Sequence, residues 1–95
     1  MAEVIWTVHA LERFTERALL YGLSRTELEQ IIRKQAVRID CGFDEKYRKR
    51  KFETVGPVAN KFFTVEKAED KKTIIVITLW ESGKKEVDLW LSRQK

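Results

Sequence analysis

The chain has 95 residues, 43% hydrophobic and 36% charged, and carries a net charge of +4. This length predicts one domain, residues 1–95, and the basic balance allows a polyanionic partner. A lone cysteine, Cys41, excludes an internal disulfide, and a lone histidine leaves no zinc motif; no phosphate-binding glycine loop is present, so we expect neither metal nor cofactor. Without a signal-peptide pattern or an apolar run of ~20 residues, we expect a cytoplasmic protein with no membrane segment.

The N-terminal part of the chain predicts a strand followed by a helix. Val4 to Val8 alternates apolar and other side chains as a short strand does. From residue 8 to about residue 21 the apolar positions follow helical spacing. Thr7 is suited to cap this helix, and Gly22 is suited to end it.

A second helix is predicted directly after the first. Ser24–Glu27 has the pattern of a capping box, in which a serine and a glutamate satisfy each other's backbone N–H groups. The helix is expected to end near Lys34 or Gln35. Because the connection to the first helix is very short, we expect the two helices to form a hairpin.

The remainder of the chain predicts mainly strands. The strand segments are Ala36–Cys41, Tyr47–Val55, Val58–Glu66 and Thr73–Trp80. The last is the most apolar and is expected to be a central strand buried on both faces. Residues 87–91 can form a short edge strand, but their apolar spacing favours a helical turn. We therefore predict an α+β fold in which a two-helix hairpin packs on an antiparallel sheet of about four strands.

Three residues at helical spacing form the first candidate site. His9, Arg13 and Arg17 recur every fourth residue, so a helix places them on one face. Two permanent cations beside an imidazole can hold a phosphodiester next to a proton-transfer group. A neutral imidazole can accept the proton of a ribose 2′-hydroxyl. Alternatively, His9 only hydrogen-bonds the backbone or completes the helix cap.

A basic segment forms the second candidate site. Five of the six residues in Lys46–Lys51 are basic. On a strand, Arg48 and Arg50 share one face, and arginine suits bidentate phosphate binding. Tyr47 can stack on a base or supply a hydroxyl, and the hydroxyl of Thr78 can point at the same ligand. In the alternative interpretation, the charges protect an edge strand from aggregation and Thr78 satisfies its hydroxyl within the sheet.

Three segments of the chain resemble an uncharacterised bacterial domain family that is similar to the RelE/ParE toxin superfamily. The segments are His-Ala-Leu-Glu-Arg-Phe-x-x-Arg from residue 9, Gly-Leu-Ser-x-x-Glu-Leu-Glu from residue 22, and Ile-Val-Ile-Thr-Leu-Trp from residue 75. The superfamily fold is two helices on an antiparallel sheet. It includes metal-independent ribonucleases that an antitoxin holds inactive, and it also includes gyrase poisons.

The resemblance implies a metal-independent ribonuclease whose substrate is RNA and whose partner is an antitoxin-like protein. The 2′-hydroxyl would attack the neighbouring phosphorus and leave a 2′,3′-cyclic phosphate. The implied catalytic residues are His9, Arg13 and Arg48, and the expected nucleic-acid contacts are Arg17, Tyr47, Arg48, Arg50 and Thr78. Two alternatives stay open: a non-catalytic module that binds nucleic acid or protein, and a toxin-like protein that acts on a protein target such as gyrase.

Overall fold

The computed structural model describes residues 2–33 and 37–94. Capping interactions define its first helix. Helix α1 spans Val8–Arg17, and the backbone N–H of Ala10 donates to the Thr7 hydroxyl at 3.1 Å, which confirms the predicted cap. A 3-10 helix, Leu19–Tyr21, follows and ends at Gly22, whose φ of 76° is left-handed. Glycine adopts this conformation without steric strain, so Gly22 ends the helical segment as predicted. The α-helix itself ends at Arg17, earlier than the predicted Tyr21, and the 3-10 helix completes the segment.

The second helix begins at the predicted capping box. Helix α2 spans Arg25–Arg33. The Ser24 N–H donates to Glu27 Oε1 at 2.9 Å, and the Glu27 N–H donates to Ser24 Oγ at 3.1 Å. The predicted end of this helix, at Lys34 or Gln35, lies outside the described residues, as does Ala36 at the start of the next predicted strand.

The described chain has five strands: β1 Glu3–Trp6, β2 Val37–Asp44, β3 Lys49–Val58, β4 Lys61–Glu69 and β5 Thr73–Glu81. They form one sheet with the order β1-β5-β4-β3-β2. Strand β1 pairs with β5 in parallel, and the other neighbouring strands are antiparallel. A third helix follows the sheet. This helix, α3, spans Lys84–Ser92.

The α+β class is confirmed, but the predicted two-helix hairpin on an antiparallel sheet of about four strands is wrong. The described chain has three α-helices and a mixed sheet of five strands, which also corrects the fold implied by the resemblance. Short turns oblige β2 to β5 to run antiparallel, whereas β1 reaches β5 from a distant part of the chain and no turn sets its direction. The C-terminal helix forms because its apolar side chains have helical spacing and can pack on the sheet. The Trp90 ring packs edge to face on the Phe62 ring, with the ring centres 5.2 Å apart.

Strand β5 is not the central strand buried on both faces that its apolar sequence predicts. The middle strand is β4, and β5 lies between β4 and β1. In β5, Ile74, Val76 and Leu79 are buried in the core, whereas Ile75 and Ile77 are only half-buried. The reason is that α1 and α2 cover one face of the sheet, and on the other face α3 covers only part.

The core lies between the first two helices and the sheet. Its fully buried members from both layers include Ala10, Ala18, Leu28, Ile32, Phe63, Val65, Val76 and Leu79. On the other face, the Trp80 Nε1–H donates to Glu86 at 3.1 Å and holds α3 against the sheet. No helix in residues 2–33 or 37–94 has the length and apolar character needed to cross a membrane.

Helix α2 packs so closely on β3 that position 56 has no room for a side chain. A Cβ at Gly56 would lie 2.6 Å from Cγ2 of Ile31, which is shorter than any ordinary contact. We expect Gly56→Ala to lower the free energy of unfolding by about 1–3 kcal/mol through overpacking. Urea denaturation would measure this loss. In an Ile31→Ala background the substitution should cost clearly less, and an equal cost in both backgrounds would contradict the proposed clash.

Candidate nucleic-acid interface

The candidate residues of α1 lie along strand β5. The helix is fixed there because the Thr7 hydroxyl donates to the Val76 carbonyl at 2.9 Å and Arg17 Nη1 donates to the Leu79 carbonyl at 3.0 Å. Arg13 is ion-paired with Glu16 one turn further along α1. His9 is exposed in the first turn of the helix. Both arginines of this stripe are therefore already engaged by groups of the protein.

The basic segment forms a turn before it becomes a strand. The side chain of Asp44 accepts a hydrogen bond from the Tyr47 N–H at 2.9 Å, and its carbonyl accepts one from the Arg48 N–H at 2.8 Å. Arg48 has a left-handed φ of 57°, and β3 begins only at Lys49. Consequently Arg48 lies outside the strand. The prediction from the sequence alternation that Arg48 and Arg50 share a strand face is wrong. Arg50 lies on the face that α1 and α2 cover.

The structure does not bring the two candidate groups together. Strands β3 and β5 are separated by β4, which places them roughly 10 Å apart across the sheet. Along the strands, Arg50 is in register with Ile74, whereas Arg17 contacts Leu79, roughly 15 Å further on. Thr78 is paired with Glu66 and points to the opposite face from the buried Leu79.

A cleft of about 330 Å³ lies beside Arg50 and contains residues that sequence reasoning missed. Its lining residues are Arg38, Arg50, Phe52, Glu69, Asp70 and Lys71. Arg38 and Phe52 belong to adjacent strands and come together through the register that pairs Asp40 with Phe52. The only sequence signal was the alternation that places Arg38 on the same face of β2 as Asp40.

Arg38 is held flat at the cleft. Its Cζ lies 3.5 Å from the centre of the Phe52 ring, and its Nη2 lies 3.5 Å from Glu69 Oε1. The same Glu69 oxygen lies 3.1 Å from Nζ of Lys67, which is fully buried. Lys67 Nζ also donates to the carbonyl of Ile32 in α2 at 2.7 Å. Burial lowers the pKa of Lys67, and the neighbouring Glu69 opposes that shift.

The carboxylates around the cleft each have basic partners. Lys49 Nζ lies 2.6 Å from Asp70, and this contact, with the N–H groups of Lys72 and Thr73, lowers the pKa of Asp70 to about 2. Arg50 pairs with Asp40 and lowers its pKa. Positive charge exceeds negative charge here, because the carboxylates Asp40, Glu69 and Asp70 are surrounded by Arg38, Lys49, Arg50, Lys67 and Lys71.

The opposite face of the sheet carries acidic groups at close quarters. Glu53 of β3 is paired directly with Glu66 of β4, and both are half-buried. Burial raises the pKa of Glu53, and the charges of Glu66 and Glu86 raise it further. Burial and the same two strand glutamates raise the pKa of Cys41, which disfavours the thiolate that a nucleophilic cysteine needs. Residues 2–33 and 37–94 contain no His, Cys, Asp and Glu cluster able to hold a metal ion.

Comparisons with known proteins give no information on function, so any function must be inferred from the geometry of the described residues. No family model matches the chain, and no curated protein is similar to it at a significant level. Membership of a family similar to the RelE/ParE superfamily therefore stays a prediction from the three sequence segments. The cleft, with its stacked arginine and its excess of positive charge, is the feature from which a function can be argued.

The glutamate pair makes the stability of the protein depend on pH. Because the folded state raises the pKa of Glu53, it binds the proton more tightly than the unfolded state does, so stability falls as pH rises from about 4.5 through that raised pKa. Removing the charge should reverse this loss. We expect Glu53→Gln to raise the free energy of unfolding at pH 7 by up to ~1 kcal/mol, since like charges directly opposite are destabilising.

Thermal denaturation at pH 4 and pH 7 would measure the effect of this substitution. The gain should be smaller at pH 4, where Glu53 is closer to its protonated form. Glu45→Gln, in the exposed turn between β2 and β3, is the matched control and should change stability little at either pH. Equal effects of Glu53→Gln at both pH values would show that the pair does not titrate as described.

Proposed function

We propose that the protein binds nucleic acid at the cleft beside Arg38 and Arg50, with RNA as the expected ligand. The single observation that carries this proposal is the stacking of the Arg38 guanidinium on Phe52 at the edge of a cleft with excess positive charge. Arginine and aromatic side chains together are what proteins use to contact phosphates and bases. The net charge of +4 favours the same class of ligand.

The outer residues of the cleft are suited to phosphate. The side chain of Arg50 is 55% exposed and its partner Asp40 is 50% exposed. Exposed ion pairs contribute little to stability, so a phosphate can replace Asp40 as the partner of Arg50. Lys71 is exposed in the turn between β4 and β5 and supplies a second cation. Lys46 and Arg48 lie in the exposed turn between β2 and β3 and extend the basic surface.

RNA binding at this cleft should depend on phosphate contacts and on salt. We expect Arg50→Gln and Lys71→Gln each to weaken binding of a labelled RNA oligonucleotide several-fold at low salt. Each should also reduce the slope of log affinity against log salt by about one, because each removes one phosphate contact. Asp40→Asn should act in the opposite direction, since it releases Arg50 from its competing carboxylate.

Fluorescence anisotropy titrations at several salt concentrations would measure these changes. Lys84→Gln and Lys85→Gln are matched controls, because they remove exposed lysines at the start of α3, away from the cleft. If the control variants weaken binding as much as Arg50→Gln and Lys71→Gln do, binding is a diffuse effect of net charge. The cleft would then not be the site.

Whether His9 cleaves RNA is a separate question that the same material can test. The exposure of His9 leaves its ring accessible to a substrate, but Arg17 is held by the Leu79 carbonyl and lies away from the cleft that is proposed to bind the RNA. We therefore expect the wild type and His9→Ala to bind a structured RNA equally in EDTA, without cleaving it. Products with 2′,3′-cyclic phosphate ends from the wild type alone would contradict this and establish a metal-independent ribonuclease.

A further inference from the structure

The geometry of Arg38 points to a ligand class within the proposed function: we infer that the cleft binds single-stranded nucleic acid, with one unpaired base stacked on the outer face of Arg38. This inference rests on the proposed function and goes further, because phosphate contacts alone would accept single and double strands alike. It depends on how Arg38 is supported, on which of its faces is open, and on the size of the cleft.

Arg38 presents one open face. The Phe52 ring, whose centre is 3.5 Å from Cζ, covers the inner face of the guanidinium, and Phe52 itself is only 7% exposed. The Arg38 side chain nevertheless remains 43% exposed, so its open surface is on the side away from the ring. A planar guanidinium in this position can stack a base, as guanidinium planes do in RNA recognition.

The orientation of this plane is fixed by buried charge. Glu69, with its side chain only 12% exposed, lies beside Arg38 and is itself paired with the fully buried Lys67. Lys67 is in turn hydrogen-bonded to the Ile32 carbonyl of α2. Arg38 is therefore held from below by an aromatic ring and from the side by a carboxylate that cannot move freely. Little side-chain freedom is left to lose when a base stacks.

A ligand that stacks on Arg38 must offer a free base face. The cleft, about 330 Å³ and open to solvent, has room for a single base. In a duplex the bases are paired and stacked on each other, so their flat faces are not available to a protein side chain. A single strand can place one base in the cleft while its flanking phosphates lie near Arg50 and Lys71.

The substitution Arg38→Lys separates stacking from charge, because lysine keeps the positive charge but has no plane. We expect it to weaken binding of a single-stranded oligonucleotide by about tenfold, in the range of the loss of one stacked base. Binding of the corresponding duplex and the salt slope of the single strand should be unchanged. Arg25→Lys, at an exposed position at the start of α2, is the matched control and should change neither.

Anisotropy titrations of four probes would test this: single-stranded and duplex RNA, and single-stranded and duplex DNA, of one sequence. A 2-aminopurine placed in the single strands gives an independent signal, because its fluorescence rises when the base leaves the stack of its neighbouring bases, and Arg38→Lys should reduce that rise. The two single strands should respond alike to Arg38→Lys, because every base has a flat face. Thermal denaturation of each variant checks that the fold is intact.

The outcomes separate this inference from the proposed function. If Arg38→Lys weakens binding to single strands and duplexes equally, or leaves single-strand binding unchanged, stacking on Arg38 is wrong while binding at the cleft stands. If the wild type binds duplex at least as tightly as single strand, the inferred preference is wrong. If it binds none of the four probes, both the inference and the proposed function fail.

Discussion

The interaction on which the rest of the structure depends is the bonding of the buried Lys67 ammonium group to α2 and to Glu69. It lies within the sheet layer, fully buried, and bonds the Ile32 carbonyl near the end of α2 on one side and Glu69 on the other. A helix end leaves carbonyl groups without intrahelical partners, and a cation is the group that such an end favours. Breaking a buried ion pair such as Lys67–Glu69, both in β4, typically costs about 3–5 kcal/mol. The hydrogen bond from Lys67 to Ile32 joins the two layers through a charged donor as well as the apolar contacts.

The same interaction determines the chemistry of the cleft. Because Lys67 neutralises Glu69 from within the protein, the neighbouring Arg38 does not have to supply all of the compensating charge. Asp70 is similarly satisfied by Lys49 and by two backbone N–H groups. The carboxylates therefore act as supports for the surrounding cations, and the exposed charge of the cleft is positive. An anionic ligand would meet Arg50 and Lys71 first.

The sequence allowed local features to be predicted, but not the long-range ones. Thr7, Gly22 and the box at Ser24–Glu27 were recognisable because caps involve residues within one turn of each other. The parallel direction of β1 could not be recognised in the sequence, because it depends on pairing with a strand some 70 residues away. The alternation of side chains in the basic segment predicts one continuous strand. It does not show the turn, because the turn is made by backbone N–H groups that donate to Asp44. Arg38 was missed for a third reason: its importance comes from Phe52, a neighbour in space only.

The cleft follows from a mismatch in length between the two layers. Helix α2 has nine residues and is therefore only ~13 Å long, whereas the ten residues of β3 extend over roughly 33 Å. The helix covers β3 around Gly56, where Ile31 is in contact, but it does not reach the row that contains Arg50. Where none of the described helices covers the sheet, its surface meets water, and β2 to β4 accordingly change from apolar to charged side chains toward this end. The Phe52 ring at this end is shielded by the guanidinium of Arg38. The arrangement that suits a base is thus also the one that protects the exposed end of the core from water.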